Sequence, residues 1–176
     1  SPAQGLRFRQ DNDFFYLTGN ESLNAALVMD GATGEAHLFL PKLSAGEIRY
    51  EGPNWIDDPN ATLTYGFASI QPVRTLHEFL AQRFLAQGHV VPGPDMIWMR
   101  LSERDTVNSS RTDTALATTR RLANPFTQHP TEDALRVAAI QERFPSYEIQ
   151  DVTPHLDRLR LIKTVREIEI LRHNGK

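Results

Sequence analysis

Short apolar runs that alternate with amphipathic segments constrain the fold of this chain most. Residues 25–29 and 36–40 form two such runs, separated by Gly and Asp residues that favour a tight turn, and residues 96–99 form a third. Residues 147–152 are predicted to form a last strand. Over residues 72–86, apolar side chains recur at three- and four-residue steps, which predicts an amphipathic helix. This alternation of strands and helices favours an α/β fold with a mixed sheet and flanking helices.

Residues 8–19 combine a charged half with an aromatic half. Arg9, Asp11 and Asp13 form a polar run, and residues 14–17 then supply a nearly all-aromatic segment that ends at a Thr-Gly pair. We predict a polar turn that leads into a first buried strand. Together with the two apolar runs that follow, this strand would form an antiparallel meander at the front of the sheet.

Motifs for metal or nucleotide chemistry are scarce. Asp11 and Asp13 offer two carboxylates to a hard cation, but Ser22 stands where a calcium loop needs its final acid. The six histidines show no metal-ligand spacing, and His37 is predicted to lie on the exposed face of its strand. No glycine-rich phosphate loop, His-Glu-x-x-His motif or Gly-x-Ser-x-Gly elbow occurs. The residues alone therefore favour a structural turn over a metal site.

Capping residues mark several helix starts. Ser44 with Glu47, and Thr164 with Glu167, have the spacing of a capping box, in which each side chain bonds the other residue's backbone. Thr131 is a third predicted N-cap. These signals predict helices from residues 45, 132 and 165 onward.

Other boundaries rest on weaker signals. Pro72 suits the first position of the helix predicted over residues 72–86. A helix predicted from residue 153 onward would place Leu156 and Leu159 inward. The polar segments 55–64 and 102–112 are predicted to be surface loops.

Composition limits the function classes. At 176 residues the chain is long enough for one domain with a proper core, and its formal net charge of -3, with acids and bases interspersed, gives no basic stripe for nucleic acid. Its longest apolar runs are four or five residues, too short for a membrane span. There is no cysteine, which fits a reducing cytoplasm, and no signal-peptide pattern is visible.

The last helix predicted in the chain has no visible packing partner. Ile168 and Leu171 form an apolar face on it, and little sequence follows that could cover them. We therefore expect this helix to belong to a following domain, and the chain to be a piece of a longer protein.

Two motifs in this chain resemble a known family. Residues 8–19, FRQDNDFFYLTG, closely resemble the FRQ-[DN]-S-DF-x-YLTG stretch of the Xaa-Pro aminopeptidases, also called aminopeptidase P. Residues 160–172, RLIKTVREIEILR, resemble that family's linker into its catalytic domain, R-x-x-K-S-P-x-E-I-x-x-[LM]-R. Two departures are Asn20, where an aromatic residue usually follows the Thr-Gly pair, and Val165, where the linker usually has Pro.

The resemblance implies a creatinase/prolidase-like N-terminal domain, ribonuclease H-like in fold, over residues 1–161. Residues 162–176 would then be the linker and first helix of a pita-bread catalytic domain. The full-length enzyme would hydrolyse the N-terminal Xaa-Pro bond with two divalent metal ions, commonly manganese, held by two Asp, one His and two Glu of the catalytic domain. No catalytic residue or metal ligand is then expected in this chain, which would be inactive alone.

The resemblance further implies a homo-oligomer, a dimer or tetramer, in which this domain restricts the active-site entrance to short proline-containing peptides. The candidate subunit-interface or active-site-rim residues are Arg9, Asp13, Arg49 and Tyr50. The last two stand where relatives usually carry Trp. No nucleic acid and no membrane is expected as a partner.

Two alternatives stay open. One is a stand-alone domain or pseudoenzyme of the same fold that binds a small guanidino or peptide ligand, and the sequence beyond Lys176 would distinguish it. The other is the N-terminal domain of a prolidase or creatinase, over which the motif at residues 8–19 favours aminopeptidase P.

Overall fold

The structure of the chain, a computed structural model, describes residues 9–87, 96–101, 103, 109–126 and 129–175. The chain forms two compact units, unit 1 (Ser1–Pro92) and unit 2 (Gly93–Lys176). Each unit combines helices with a small β-sheet, so the predicted mixed α/β architecture is confirmed. The predicted boundary at residue 161, where a linker would begin, stays a prediction.

Unit 1 contains a three-stranded mixed sheet in the order β1-β2-β3. β1 (Ala26–Met29) pairs antiparallel with β2 (Ala36–Leu40), which confirms the predicted hairpin. β3 (Ser69–Pro72) pairs in parallel with β2 and was not predicted from the sequence. Of its four residues only Ile70 is strongly apolar, so pairing with β2 rather than intrinsic propensity explains this strand.

The helices of unit 1 are α1 (Asn12–Thr18), α2 (Ala45–Glu51), α3 (Ala61–Tyr65) and α4 (Leu76–Gln87), with 3-10 turns at Trp55–Asp57 and Val73–Thr75. The prediction that residues 55–64 form a plain surface loop is wrong, since a 3-10 turn and most of α3 lie there. Pro72 was predicted to begin a helix, but it ends β3, and α4 begins only after the second 3-10 turn.

Residues 14–17 lie in helix α1, not in the buried strand predicted for them. The Asp11 carboxylate accepts the backbone N–H groups of Asp13 and Phe14 at 3.1 and 3.0 Å. Gly19 ends the helix with φ of 65°, in the left-handed region that favours glycine. An N-cap and a C-terminal glycine thus outweigh the strand preference of the aromatic residues. The first strand of the predicted meander is therefore a helix.

The core of unit 1 surrounds strand β2. Leu38, Phe39 and Leu40 are fully buried. Leu38 and Leu40 face a cluster that includes Phe67, while the Phe39 ring meets Phe79 of α4 edge to face at 5.2 Å. Because alternate residues of a strand point to opposite faces, both faces of β2 are covered.

Unit 2 contains a parallel pair of strands, β4 (Met96–Met99) and β5 (Glu148–Asp151), close to where both were predicted. Its helices are α5 (Arg111–Leu122), α6 (Glu132–Arg143), α7 (Thr153–Leu161) and α8 (Val165–Asn174). Thr131 caps α6 and Thr164 caps α8, as predicted.

One prediction for unit 2 is wrong, and another is wrong only at its end. The segment 102–112 was predicted to be a loop, and part of it lies outside the described residues. Residues 103, 109 and 110 are outside helices and strands, but residues 111 and 112 begin α5, which Ser110 caps with a capping box to Asp113. Leu159 was predicted to face inward, yet it is 56% exposed, whereas Leu156 is buried as predicted. Leu159 lies three residues beyond Leu156, on a part of α7 that the unit leaves open to solvent.

Polar contacts hold the ends of the unit 2 elements together. The Asp151 carboxylate accepts the backbone N–H groups of Leu101 at 3.2 Å and of Thr153 at 2.9 Å. Arg111 of α5 and Asp157 of α7 form a two-pronged ion pair at 2.6 and 3.0 Å. In the portion of the chain that the structure describes, no helix is long and apolar enough to cross a membrane.

Candidate functional site

The first two predicted rim residues, Arg9 and Asp13, lie at the N-terminal end of α1. Arg9 is exposed, and its Nη2 donates to the Asn12 side-chain oxygen at 3.1 Å. Asp13 lies in the first turn of the helix and is buried, where the helix dipole favours its negative charge. Arg9 is thus available at the surface, whereas Asp13 belongs to the packing of α1.

Hydrogen bonds fix the chain on both sides of α1. Gln10 Nε2 donates to the Ser22 carbonyl oxygen at 2.8 Å, across the whole helix. Beyond the helix, the Thr18 hydroxyl accepts from the Asn20 N–H, and the Asn20 side-chain oxygen accepts from the Ser22 N–H. Asn20, which departs from the family pattern, is therefore a buried turn residue.

The other two predicted rim residues, Arg49 and Tyr50, lie in the last turn of α2. Both are exposed, and Tyr50 is 90% exposed. Of the four predicted residues, Asp13 lies in α1, Arg9 lies just before it, and Arg49 and Tyr50 lie in α2. All but Asp13 are exposed.

The start of α2 is fixed by charge as well as by hydrogen bonds. The Ser44 backbone N–H and the Ser44 hydroxyl each donate to the Glu47 carboxylate at 2.7 Å. These bonds, the backbone one first, hold the pKa of Glu47 below its ordinary value. Thr164 lowers the pKa of Glu167 at the start of α8 in the same way, with a smaller contribution from Lys163.

His37 is buried, which corrects the prediction that it lies on an exposed strand face. Its Nδ1 lies 2.9 Å from the Ser69 hydroxyl of β3, and its ring contacts Phe79 of α4. Gln71 Nε2 donates to the same Ser69 oxygen at 2.8 Å, so the Ser69 proton is available to His37 Nδ1. The contact between His37 and Ser69 joins β2 to β3 and gives the imidazole a hydrogen-bond partner. A polar side chain is therefore tolerated at this buried position of β2.

An ion-pair cluster borders this histidine. His37 Nε2 lies 3.6 Å from the Glu35 carboxylate, which also pairs with Arg83 of α4 at 3.5 Å. Arg83 pairs with Asp30 at 3.1 Å and lies over the Phe79 ring. Serine, histidine and acid thus occur together, but the buried imidazole ties strands to a helix and is not presented to a substrate.

No group of three His, Asp or Glu side chains among the described residues is placed to hold a metal ion. In particular, Asp11 uses its carboxylate as the N-cap of α1. The residues that the structure describes therefore do not fit the two metal ions that the resemblance implies for the full-length enzyme.

Helix α8 presents apolar side chains to solvent. Val165 is 75% exposed, and the two residues of the predicted apolar face, Ile168 and Leu171, are 37% and 57% exposed. Just before it, Ile162 is 73% exposed. The predicted apolar face of this helix is present and is uncovered within the described residues.

Unit 2 also carries a groove along α6 of about 260 Å³. Its apolar lining includes Leu101, Val137 and Ala138. Near the start of α6, Phe126 is 94% exposed. Neither feature was predicted, because the exposure of a side chain depends on tertiary structure and the sequence around Phe126 is an ordinary polar loop.

Comparisons with known proteins identify the family. The family described as aminopeptidase P, N-terminal domain, matches residues 1–91. A proposed aminopeptidase P from Bacillus anthracis has a similar structure, with a TM-score of 0.69 and 18% identity over 98% of this chain and 36% of its own. Proline aminopeptidase P II from Yersinia pestis gives a TM-score of 0.55 and 21% identity over 99% of this chain and 35% of its own.

Aminopeptidase P from Escherichia coli gives a TM-score of 0.58 and 19% identity over 98% of this chain and 34% of its own. These likenesses show the fold, and this chain spans about a third of the length of the solved structures it matches. A comparison with curated proteins finds no match. Because the family match covers more than half of its residues, the chain belongs to the aminopeptidase P N-terminal domain family.

Proposed function

We propose that this chain is the non-catalytic N-terminal domain of a dinuclear-metal Xaa-Pro aminopeptidase. In this proposal it supports oligomerisation and restricts access to the active site. The family match over residues 1–91 is the observation that carries the proposal. The three solved structures named above are each called aminopeptidase P, and each is about three times as long as this chain.

One feature of the structure supports a position beside a catalytic domain, to which the proposal assigns the metal ions, with manganese as their proposed identity. Helix α8 leaves Val165 and Leu171 largely exposed, which suits contact with a further part of the protein.

The gene sequence beyond the codon for Lys176 is the most direct test. We expect an open reading frame that supplies two Asp, one His and two Glu ligands in the order of the pita-bread enzymes. A stop codon at that point would favour the stand-alone ligand-binding domain instead. A reading frame without the ligand series would favour a pseudoenzyme.

An activity assay tests the non-catalytic part of the proposal separately. The purified 176-residue chain, assayed with Mn²⁺ and an Xaa-Pro peptide, should release no N-terminal residue. Addition of Mg²⁺ or Zn²⁺ in place of Mn²⁺ controls for the choice of metal. Turnover that persists through repurification would overturn the proposal.

The access role predicts a change in selectivity for peptide length in the full-length enzyme. Tyr50→Ala should lower KM for long peptides and leave kcat for an Xaa-Pro dipeptide unchanged, because a rim residue excludes bulk without touching the reacting atoms. Leu63→Ala, at an 87% exposed position of α3, is the matched control. Equal behaviour of the two variants would argue against a rim at Tyr50.

A further inference from the structure

Two aromatic rings of unit 1, which we call the aromatic platform, are stacked on each other. The rings of Trp55, in the first 3-10 turn, and Tyr65, the last residue of α3, have a centroid distance of 3.7 Å and an angle of 9° between their planes. Trp55 packs against the core of unit 1. Tyr65 is 44% exposed, and within the described residues its ring contacts no aromatic ring except Trp55. The outer face of the Tyr65 ring is therefore open to solvent.

Local hydrogen bonds fix the two elements that carry the platform. The Asn54 side-chain nitrogen, just before the 3-10 turn, donates to the Pro41 carbonyl oxygen at 2.6 Å. Asp58 joins the turn to the start of α3, because its carboxylate accepts the Asn60 N–H at 2.9 Å. The platform is thus formed before any ligand arrives, which lowers the entropic cost of binding.

The platform also has two unused hydrogen-bond donors. In the part of the chain that the structure describes, neither the Trp55 indole N–H nor the Tyr65 hydroxyl has a hydrogen-bond partner. Trp and Tyr combine a flat apolar ring with a polar tip, which is why they are enriched at binding interfaces. A matching ligand has an apolar group to cover the Tyr65 ring and an oxygen that accepts a hydrogen bond.

A proline-rich peptide in the polyproline II conformation has both features. Its proline rings pack against aromatic side chains, and its backbone carbonyl groups make no internal hydrogen bonds. This helix is largely formed before binding, so little conformational entropy is lost. A sugar would also need polar side chains to recognise its hydroxyl groups, and the Asn54 amide, next to Trp55 in the chain, is already used within the turn.

We propose that the aromatic platform binds proline-rich peptide segments, with a proline ring on the outer face of Tyr65 and a peptide carbonyl oxygen accepting from the Trp55 indole N–H. The choice of occupant rests on the proposed function, because an Xaa-Pro aminopeptidase encounters peptides that contain proline. The inference goes beyond that function, since it gives unit 1 a peptide-binding surface on residues other than the predicted rim residues.

Binding is measured on the 176-residue chain with a hexaproline peptide that has an acetylated N-terminus and an amidated C-terminus. An aminopeptidase needs a free N-terminus, so this probe separates binding from catalysis. Isothermal titration calorimetry gives the dissociation constant. Fluorescence of Trp55, with the chain's other tryptophan removed by Trp98→Phe, reports whether the peptide reaches the platform. A Gly-Ser peptide of equal length with the same blocked ends is the control ligand and should bind far more weakly.

Two substitutions separate the Tyr65 ring from its hydroxyl. Tyr65→Leu keeps apolar volume and helix propensity but removes the flat ring, and it should raise the hexaproline dissociation constant at least about 10-fold. Tyr65→Phe keeps the ring and should bind within about fivefold of the unmodified chain. Leu63→Ala, on the same helix and 87% exposed, is the matched control and should leave the constant unchanged. Circular dichroism confirms that each variant retains the fold.

Three results would overturn this proposal: no calorimetric binding of hexaproline, binding that leaves Trp55 fluorescence unchanged, or a folded Tyr65→Leu variant that binds like the unmodified chain. Binding of cellohexaose without binding of hexaproline would assign the platform to sugars and overturn it as well. All four leave the proposed function standing, since no catalysis is measured. A gene without the metal-ligand series would instead overturn the proposed function, and hexaproline binding would still be measurable.

Discussion

Strand β2 of unit 1 and strand β4 of unit 2 are buried to very different extents. In unit 1, Leu38 and Phe39 of β2 are fully buried, with side chains packed on both faces of the strand. In unit 2, Met96 and Trp98 of β4 are 37% and 49% exposed. Both units contain a parallel strand pair, but among the residues that the structure describes only unit 1 adds an antiparallel hairpin to it.

The difference indicates what each unit relies on. A sheet of two strands is marginal unless other elements cover it. Among the described residues of unit 2, only Phe144 and Leu156 are buried apolar side chains. Unit 2 therefore has a smaller buried apolar core than unit 1, and it leaves more large apolar side chains exposed. The chain has two tryptophans, Trp55 in unit 1 and Trp98 in unit 2, so replacing one isolates the fluorescence of the other unit.

The largest effect is expected for Phe39→Ala in unit 1. The side chain is fully buried, so the free energy of unfolding should fall by about 3–5 kcal/mol. Urea unfolding followed by Trp55 fluorescence, in a Trp98→Phe background, measures the change. Phe15→Ala, at a 47% exposed site in α1, is the control. A loss for Phe39→Ala no greater than that of the control would remove the contrast between the units.

Leu156→Ala tests whether unit 2 has a core of its own. Because Leu156 is buried, we expect a loss of about 2–3 kcal/mol, at the low end for leucine since many neighbouring positions are exposed. The unfolding of unit 2 is followed by Trp98 fluorescence in a Trp55→Phe background. Leu159→Ala, on the same helix but 56% exposed, should change stability by less than about 0.5 kcal/mol. Equal losses at both positions would contradict the assigned packing of α7.

The ion pair between Arg111 and Asp157 should contribute less to stability than either of these buried side chains. Its two-pronged geometry favours it, but Asp157 is 48% exposed and water screens the charges. A double-mutant cycle with Arg111→Gln and Asp157→Asn should give a coupling energy of about 0.5–1 kcal/mol. The coupling should shrink in 1 M NaCl, as the Debye length falls to about 3 Å. A coupling that ignores salt would indicate a buried pair instead.

The smallest effect is the pH dependence contributed by the two capping boxes. The pKa of Glu47 and of Glu167 is lowered in the folded chain. Each carboxylate therefore makes its full contribution to stability at pH values above the ordinary pKa of 4.5. This stability is lost as the pH falls from there through the lowered pKa. Glu47→Gln and Glu167→Gln keep the hydrogen bond but cannot titrate.

Each Gln variant should therefore flatten the pH dependence of its own unit, measured by urea unfolding between about pH 3 and 6. The Trp55 signal should respond to Glu47→Gln, and the Trp98 signal to Glu167→Gln. An unchanged slope in both variants would show that other carboxylates dominate the acid response.

Local signals in the sequence were sufficient to predict an element wherever its backbone groups form hydrogen bonds with residues close in sequence. The capping boxes at Ser44 and Thr164, the cap at Thr131 and the hairpin all belong to this class. Helix α5 carries the same signal at Ser110, but its polar composition favoured a loop prediction. Giving the capping-box spacing more weight than the polar composition would have predicted this helix.

Features that depend on distant partners could not be predicted in this way. β3 exists because β2 pairs with it. His37 is buried because Phe79 of α4 packs against it, on a face of β2 that would otherwise be exposed. For the candidate site, Arg9, Asp13, Arg49 and Tyr50 came from the family resemblance. The sequence pattern could not show that Asp13 is buried and the others accessible, since that depends on the packing of α1 and α2.

The double pairing of β2 has a consequence for synthesis of the chain. β1 and β2 are neighbours in sequence and close at little loop entropy, whereas β3 follows only after residues 41–68. As the chain leaves the ribosome N-terminus first, the hairpin can form while one edge of β2 still has unpaired backbone groups. That edge is an aggregation hazard for nascent chains until residues 69–72 emerge and occupy it.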